Sequence, residues 1–283
     1  MLGLFWKKHL SLQQFKALHQ NPTTFIVSQW QHDKSAPNFK YSIYRWSIFL
    51  IFFVSWIFTY TKETTEGRPR WPIYLTNWGF TLCMLQSLLC TIMLSGSLIG
   101  HRYSLKSQLE QKVLKMYSVY WVLNTIATPL AFTISIIYWT LIYGAEGATF
   151  SAMNFIVHGL NSILMFVDLW IVCHPVQILH FIYPLLLAFA YTIFTIIFYV
   201  AGGTTKTGSR YIYPILKWDE PGKTAGVCAG VMILMIFLHL FLFLIFKART
   251  KLYNVLYISP IELPVPAGEQ SAYDNKAMAT EYV

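Results

Sequence analysis

Six hydrophobic stretches, each long enough to cross a bilayer, limit what this chain can fold into. They run Tyr44–Tyr60, Ile73–Ile99, Met116–Tyr143, Phe150–Val172, Ile182–Val200 and Ala225–Phe246. A spanning helix takes about 20 mostly apolar residues, because about 30 Å of hydrocarbon is crossed at about 1.5 Å per residue. In lipid, each backbone N–H and C=O has to be satisfied within its own segment. The expected fold is therefore all-α, a polytopic membrane protein built as a six-transmembrane-helix bundle. Charged residues are 12% of the chain, against about 25% in soluble domains. A soluble domain is excluded, and little remains outside the bundle. Residues 1–42 read as a cytosolic N-terminal segment, 43–250 as the transmembrane domain and 251–283 as a disordered cytosolic tail.

The net charge of +9 follows membrane topology and does not indicate a nucleic-acid partner. Six basic residues (Lys7, Lys8, Lys16, Lys34, Lys40, Arg45) precede or open the first span. Four follow the second (Arg102, Lys106, Lys112, Lys115), and four lie in the tail (Lys247, Arg249, Lys251, Lys276), against seven in the loops of the other side. By the positive-inside rule both termini are cytosolic, which an even number of spans permits. The long third span contains Pro129, and a kink or tilt would accommodate it.

No apolar signal-peptide core precedes Lys7 and Lys8, so the first span would act as its own insertion signal. Leu12, Phe15 and Leu18 after Ser11 fit either a short amphipathic helix on the cytosolic leaflet or a flexible leader. Cys83, Cys90, Cys173 and Cys228 lie within or at the ends of spans and read as packing residues rather than disulfides. The terminal Thr280-Glu281-Tyr282-Val283 is a candidate ligand for a PDZ-type protein partner at the C-terminal tail. Tyr253-Asn254-Val255-Leu256 resembles a tyrosine-based sorting signal. The loops Lys62–Trp71 and Ala201–Thr224 mix charges with aromatics, and the second is expected to fold back along the interface. The histidines lack metal-ligand spacing, and no P-loop or GxGxxG occurs. Neither metal nor cofactor is expected.

Polar residues inside the spans are the functional candidates. On the fourth span His158, Asn161, Met165 and Asp168 recur at i, i+3, i+7 and i+10, which places them on one helix face. Counting inward from Phe150 puts His158 about 12 Å deep, and Thr76 lies about 6 Å in from Pro72. A threonine hydroxyl and an imidazole therefore share the outer half of the bundle. A hydroxyl needs a base to act as a nucleophile at neutral pH, and histidine is the commonest one. Thr76 and His158 are thus candidate catalytic residues acting on a lipid substrate. The competing reading is structural: Thr76 bonding its own helix, His158 bridging two helices, and Asp168 pairing with Lys112 or Lys115. His239, Asn124 and Gln86 read as hydrogen bonds across the core.

Phe25-Ile26-Val27-Ser28-Gln29-Trp30 and Tyr44-Arg45-Trp46 resemble the rolling stone family of membrane proteins. So do Val157-His158-Gly159-Leu160-Asn161-Ser162, His180-Phe181-Ile182-Tyr183-Pro184, Ala201-Gly202-Gly203-Thr204 and Ile212-Tyr213-Pro214-Ile215-Leu216-Lys217-Trp218. The resemblance covers roughly residues 20 to 250. The family's founding insect protein is associated with myoblast fusion, which implies a plasma-membrane role in muscle cell fusion or differentiation without catalysis. A more distant similarity is to the androgen-induced membrane hydrolases, which cleave fatty-acid esters of hydroxy fatty acids with an intramembrane Thr and His. Leu75-Thr76 after Trp71, Pro129 with Trp139, and Tyr213-Pro214 carry that likeness. Two registers are open on the fourth span. One sets Asn161 at the catalytic position and implies a pseudoenzyme; the other sets His158 there, with Asp168 on the family's acid.

Overall fold

The computed structural model describes residues 12–65, 67–102, 115–143 and 150–258. The C-terminal ligand motif Thr280–Val283, residues 1–11 and most of the loop after the second span, Lys112 included, fall outside them. Residues 1–246 form one compact unit and Lys247–Val283 a second.

The protein is an all-α polytopic membrane protein. Among the described residues five helical segments are long and apolar enough to span: α1 (Phe39–Lys62), α2 (Leu75–Arg102), α3 (Tyr117–Ile137) with the π turn Tyr138–Ile142, α6 (Ile182–Val200) with the 3-10 turn before it, and α7 (Pro221–Tyr257). The fourth apolar stretch is interrupted. It begins as α4 (Ala152–Phe155), passes through the π turn Ile156–Leu160, and continues as α5 (Asn161–Ile171). Two boundaries differ from the sequence reading. The first helix starts five residues before Tyr44, capped by the Asn38 side chain on the Lys40 amide, because Tyr41 and Ser42 are already buried. Pro129 does not interrupt α3. Tyr253–Leu256 is helical, within α7.

α3 is the hub, with α2, α5 and α6 packed around it and α1 against α2. One cluster joins Phe52, Phe80, Cys83, Ala127 and Met165 from α1, α2, α3 and α5. Gly79 permits the close approach of α2 to α3, since a Cβ there would meet Ile134 Cδ1 at 2.5 Å. Polar side chains bridge the helices as expected in lipid. Asn124 donates to Gln86 Oε1 at 3.3 Å, and His239 Nε2 meets the Gln177 carbonyl at 2.8 Å.

Asp168 does not pair with Lys115. Its partner is Arg45 of α1, in a fully buried ion pair that also takes the Tyr44 hydroxyl at 2.9 Å. Arg45, counted above among the flanking cations, is one and a half turns inside α1, in register with buried Tyr41, Ile48 and Phe52. Burial without a counter-ion is costly for either charge, so each requires the other.

The N-terminal segment is no loose leader. Of the expected amphipathic helix, only a 3-10 turn, Leu12–Phe15, is present among the described residues. Further on, Phe25, Ile26 and Val27 are buried. Phe25 stacks on His174 at 5.2 Å and touches Tyr117 and Trp121. Backbone bonding fixes the segment in place: Gln29 N donates to Ile171 O at 2.8 Å, and Ser28 forms an isolated antiparallel bridge with Val172. The segment plugs one end of the bundle, here called the proximal end. The loops 63–74 and 201–220 close the other, distal end.

Candidate functional site

A cavity of about 810 Å³ occupies the distal half of the bundle. It collects side chains from elements far apart in sequence: Thr76 from the first turn of α2, Tyr138 and His158 from the two π turns, Tyr191 from α6 and Tyr213 from the distal loop. Its deeper wall is apolar, with Leu130, Ile134, Val231 and Met235. Both candidate catalytic residues therefore face one space. Asn161 and Asp168 do not line it. Among the described residues no hydrogen bond joins Thr76 to His158 directly.

The π turn explains why the predicted single face breaks. One extra residue in the turn rotates the helix before it relative to the helix after it. Asn161, Met165 and Asp168 keep the buried stripe of α5, whereas His158 turns toward the cavity. The same widening frees the His158 carbonyl, which accepts from Ser135 Oγ at 2.5 Å and Trp139 Nε1 at 3.2 Å. The imidazole lies flat on Tyr138, with centroids 3.4 Å apart and planes 8° from parallel. Backbone and ring are thus both fixed by α3 and its π turn. His158 Nδ1 is buried without a hydrogen-bond partner, which leaves Nε2 as the ring nitrogen open to the cavity. Asn161, fully buried, accepts on Oδ1 from the Ser162 amide at 2.8 Å.

Thr76 is held just as firmly. A 3-10 helix, Arg68–Ile73, leads into α2. Tyr191 accepts from Leu75 N at 3.2 Å and donates to Ile73 O at 2.8 Å. Asn77 Nδ2 and Trp78 Nε1 bond back to the Trp71 and Pro72 carbonyls, each at 2.6 Å. Thr76 therefore sits at a rigid helix N-terminus, where the macrodipole favours negative charge. The Tyr213 hydroxyl lies among Thr76, Tyr191 and the Leu75 amide. Burial raises the Tyr213 phenol above its ordinary range, and those hydrogen bonds pull it partly back.

The cavity mouth is built from both distal loops. Arg70 Nε donates to Thr204 O at 2.9 Å, and Lys206 pairs with Glu63 at 2.7 Å. The aromatic loop 201–220 reaches the cavity, where Tyr213 packs edge-on against Tyr74 at 6.0 Å. Sequence reading missed Tyr138, Tyr191 and Tyr213. Each is one tyrosine among 18, and only the tertiary fold brings them to Thr76. No cluster of three or more metal-ligating side chains occurs among the described residues.

Comparison with known proteins places the chain. A family profile described as "Protein rolling stone" matches residues 4–262. The Drosophila melanogaster protein named Protein rolling stone is 30% identical over 256 residues, covering 88% of this chain and 91% of the fly protein. No solved structure matches. With most of its length matched by the family profile and by the fly protein, the chain belongs to the rolling stone family.

Proposed function

We propose that this protein binds a lipid in its distal cavity and hydrolyses an ester there, with Thr76 as nucleophile and His158 as general base. The observation that carries this reading is the convergence of Thr76 and His158 on a single, largely apolar space of a size typical of ligand pockets. His158 Nε2 would take the Thr76 hydroxyl proton, through one water, as Thr76 Oγ1 attacks the ester carbonyl. The carbonyl–oxygen bond then breaks, the alcohol leaves with the proton from His158, and water releases the acid from acyl-Thr76. Negative charge developing beside Thr76 would be favoured by the macrodipole at the α2 N-terminus. The lining of the cavity favours the register that makes His158, not Asn161, the base. Asp168 is about 15 Å further along the helix and committed to Arg45, so it orients nothing in this site.

The test is fluorophosphonate labelling of the purified protein. Wild type is expected to label, and Thr76→Ala and His158→Ala to lose labelling at least about 100-fold, the low end for removing an acid–base group. A folded wild type that does not label would end the hydrolase reading.

Membership of the rolling stone family favours a second reading, a non-catalytic role in muscle cell fusion at the plasma membrane, with both termini cytosolic. The two separate cleanly in a myoblast fusion assay. Thr76→Ala protein supports fusion as wild type does if the role is non-catalytic, and fails if fusion depends on lipid hydrolysis.

A further inference from the structure

The cavity has two chemically different ends. At its mouth are Lys62, the last residue of α1, and the Glu63–Lys206 pair, with Thr205, Thr207 and Ser209 beside them. At its floor are mostly apolar side chains of α3, α6 and α7, and along α7 these run from Val227 to Met235, about 12 Å of helix. Thr76 and His158 lie between. A ligand that satisfies both ends is an amphiphile lying along the bundle axis, head at the loops and tail inward.

The charges at the mouth do not cancel. Glu63 is matched by Lys206, both carboxylate oxygens lying on the same ammonium at 2.7 and 3.4 Å. Among the described residues Lys62 has no carboxylate partner; its Nζ stands 5.4 Å from the Phe58 ring. Among the described lining residues Lys62 is thus a surplus cation, which favours an anionic head. Size sets the tail. At about 30 Å³ per water-sized group, about 810 Å³ holds roughly 27 such groups, fewer than a two-chain phospholipid has heavy atoms.

We propose that the cavity takes a single-chain amphiphile with a carboxylate or phosphate head bound at Lys62 and its tail directed to Met235. This rests on the reading of the cavity as a lipid site, but not on catalysis there.

The experiment is direct binding of radiolabelled probes to the full-length Thr76→Ala protein in detergent, so that no turnover intervenes. The probes are oleate, lysophosphatidate, monooleoylglycerol and dioleoyl phosphatidate. Oleate or lysophosphatidate is expected to bind about tenfold tighter than uncharged monooleoylglycerol, and the stronger of the two tells carboxylate from phosphate. Lys62→Gln should remove that preference and leave monooleoylglycerol unchanged, about one charge-assisted hydrogen bond's worth. Lys62→Arg should restore it. Lys62 is exposed, so folding is not at stake. Equal binding of charged and uncharged single chains, or a silent Lys62→Gln, overturns the head-group assignment and leaves the lipid cavity standing. Dioleoyl phosphatidate binding as tightly as lysophosphatidate overturns the single-chain assignment. Failure of all four probes to bind overturns both this proposal and the lipid reading beneath it.

Discussion

Asp168→Ala is expected to destabilise the protein by about 3–5 kcal/mol, because it leaves the Arg45 guanidinium buried with no counter-ion. Both side chains are essentially inaccessible, so solvent cannot take over the lost interaction. The pair joins α1 to α5 across the bundle, and the Tyr44 hydroxyl on the same carboxylate oxygen would lose its acceptor too. Thermal unfolding in detergent, followed by tryptophan fluorescence, measures the loss. Replacing both partners, Arg45→Met with Asp168→Met, should recover most of it, since an apolar pair of similar volume carries no stranded charge. If the single variant were as stable as the double, the ion pair would not be what clamps these two helices. Labelling by fluorophosphonate should persist in the double variant, as Asp168 is outside the cavity.

Phe25→Ala should cost about 3–5 kcal/mol, as expected for emptying a buried aromatic site. Phe25 is only 1% exposed and fills the space between Tyr117, Trp121 and His174. Those neighbours are held by their own bonds: Trp121 donates to Pro175 O at 3.0 Å, and Tyr120 meets His174 Nε2 at 3.0 Å. They cannot collapse into the gap, which places the loss toward the upper end. Phe15, 36% exposed, is the control, and its replacement by alanine should stay within about 0.5 kcal/mol. Equal effects at the two positions would mean that the segment does not plug the bundle.

The helical fold was legible because lipid leaves the backbone few choices, and the lengths of apolar runs report it. The convergence of Thr76 and His158 on one space was also within reach, since counting inward from two boundaries needs only the helical rise. The phase of the fourth span was not. A 3.6-residue period carried His158 onto the same face as Asn161 and Asp168, and nothing in Ile156–Leu160 announces a π turn. Arg45 was lost for another reason. Its place in the sequence suits the positive-inside count, and counting by side alone hid the i, i+4, i+7, i+11 spacing of Tyr41, Arg45, Ile48 and Phe52. That spacing, with a lone carboxylate at Asp168 in need of a cation, was the available signal. Phe25-Ile26-Val27 was too short a run to separate a plug from a leader, and its ring partners, Tyr117, Trp121 and His174, lie far along the chain.

That separation bears on how the protein is made. Ser28 bonds to Ile171, 143 residues later in the chain. At about 5–20 residues per second, roughly 7–29 s of synthesis pass between the two. Through that interval the spans enter the membrane while Phe25, Ile26 and Val27 lack the Ile171 carbonyl and the His174 ring that complete their site. The N-terminal segment is therefore translated early and docks fully only after the fourth span is made. Its closure marks the moment at which the fourth span has been delivered to its place, and a nascent chain stalled before Val172 would present that apolar triplet to the chaperones and proteases that survey unfinished membrane proteins.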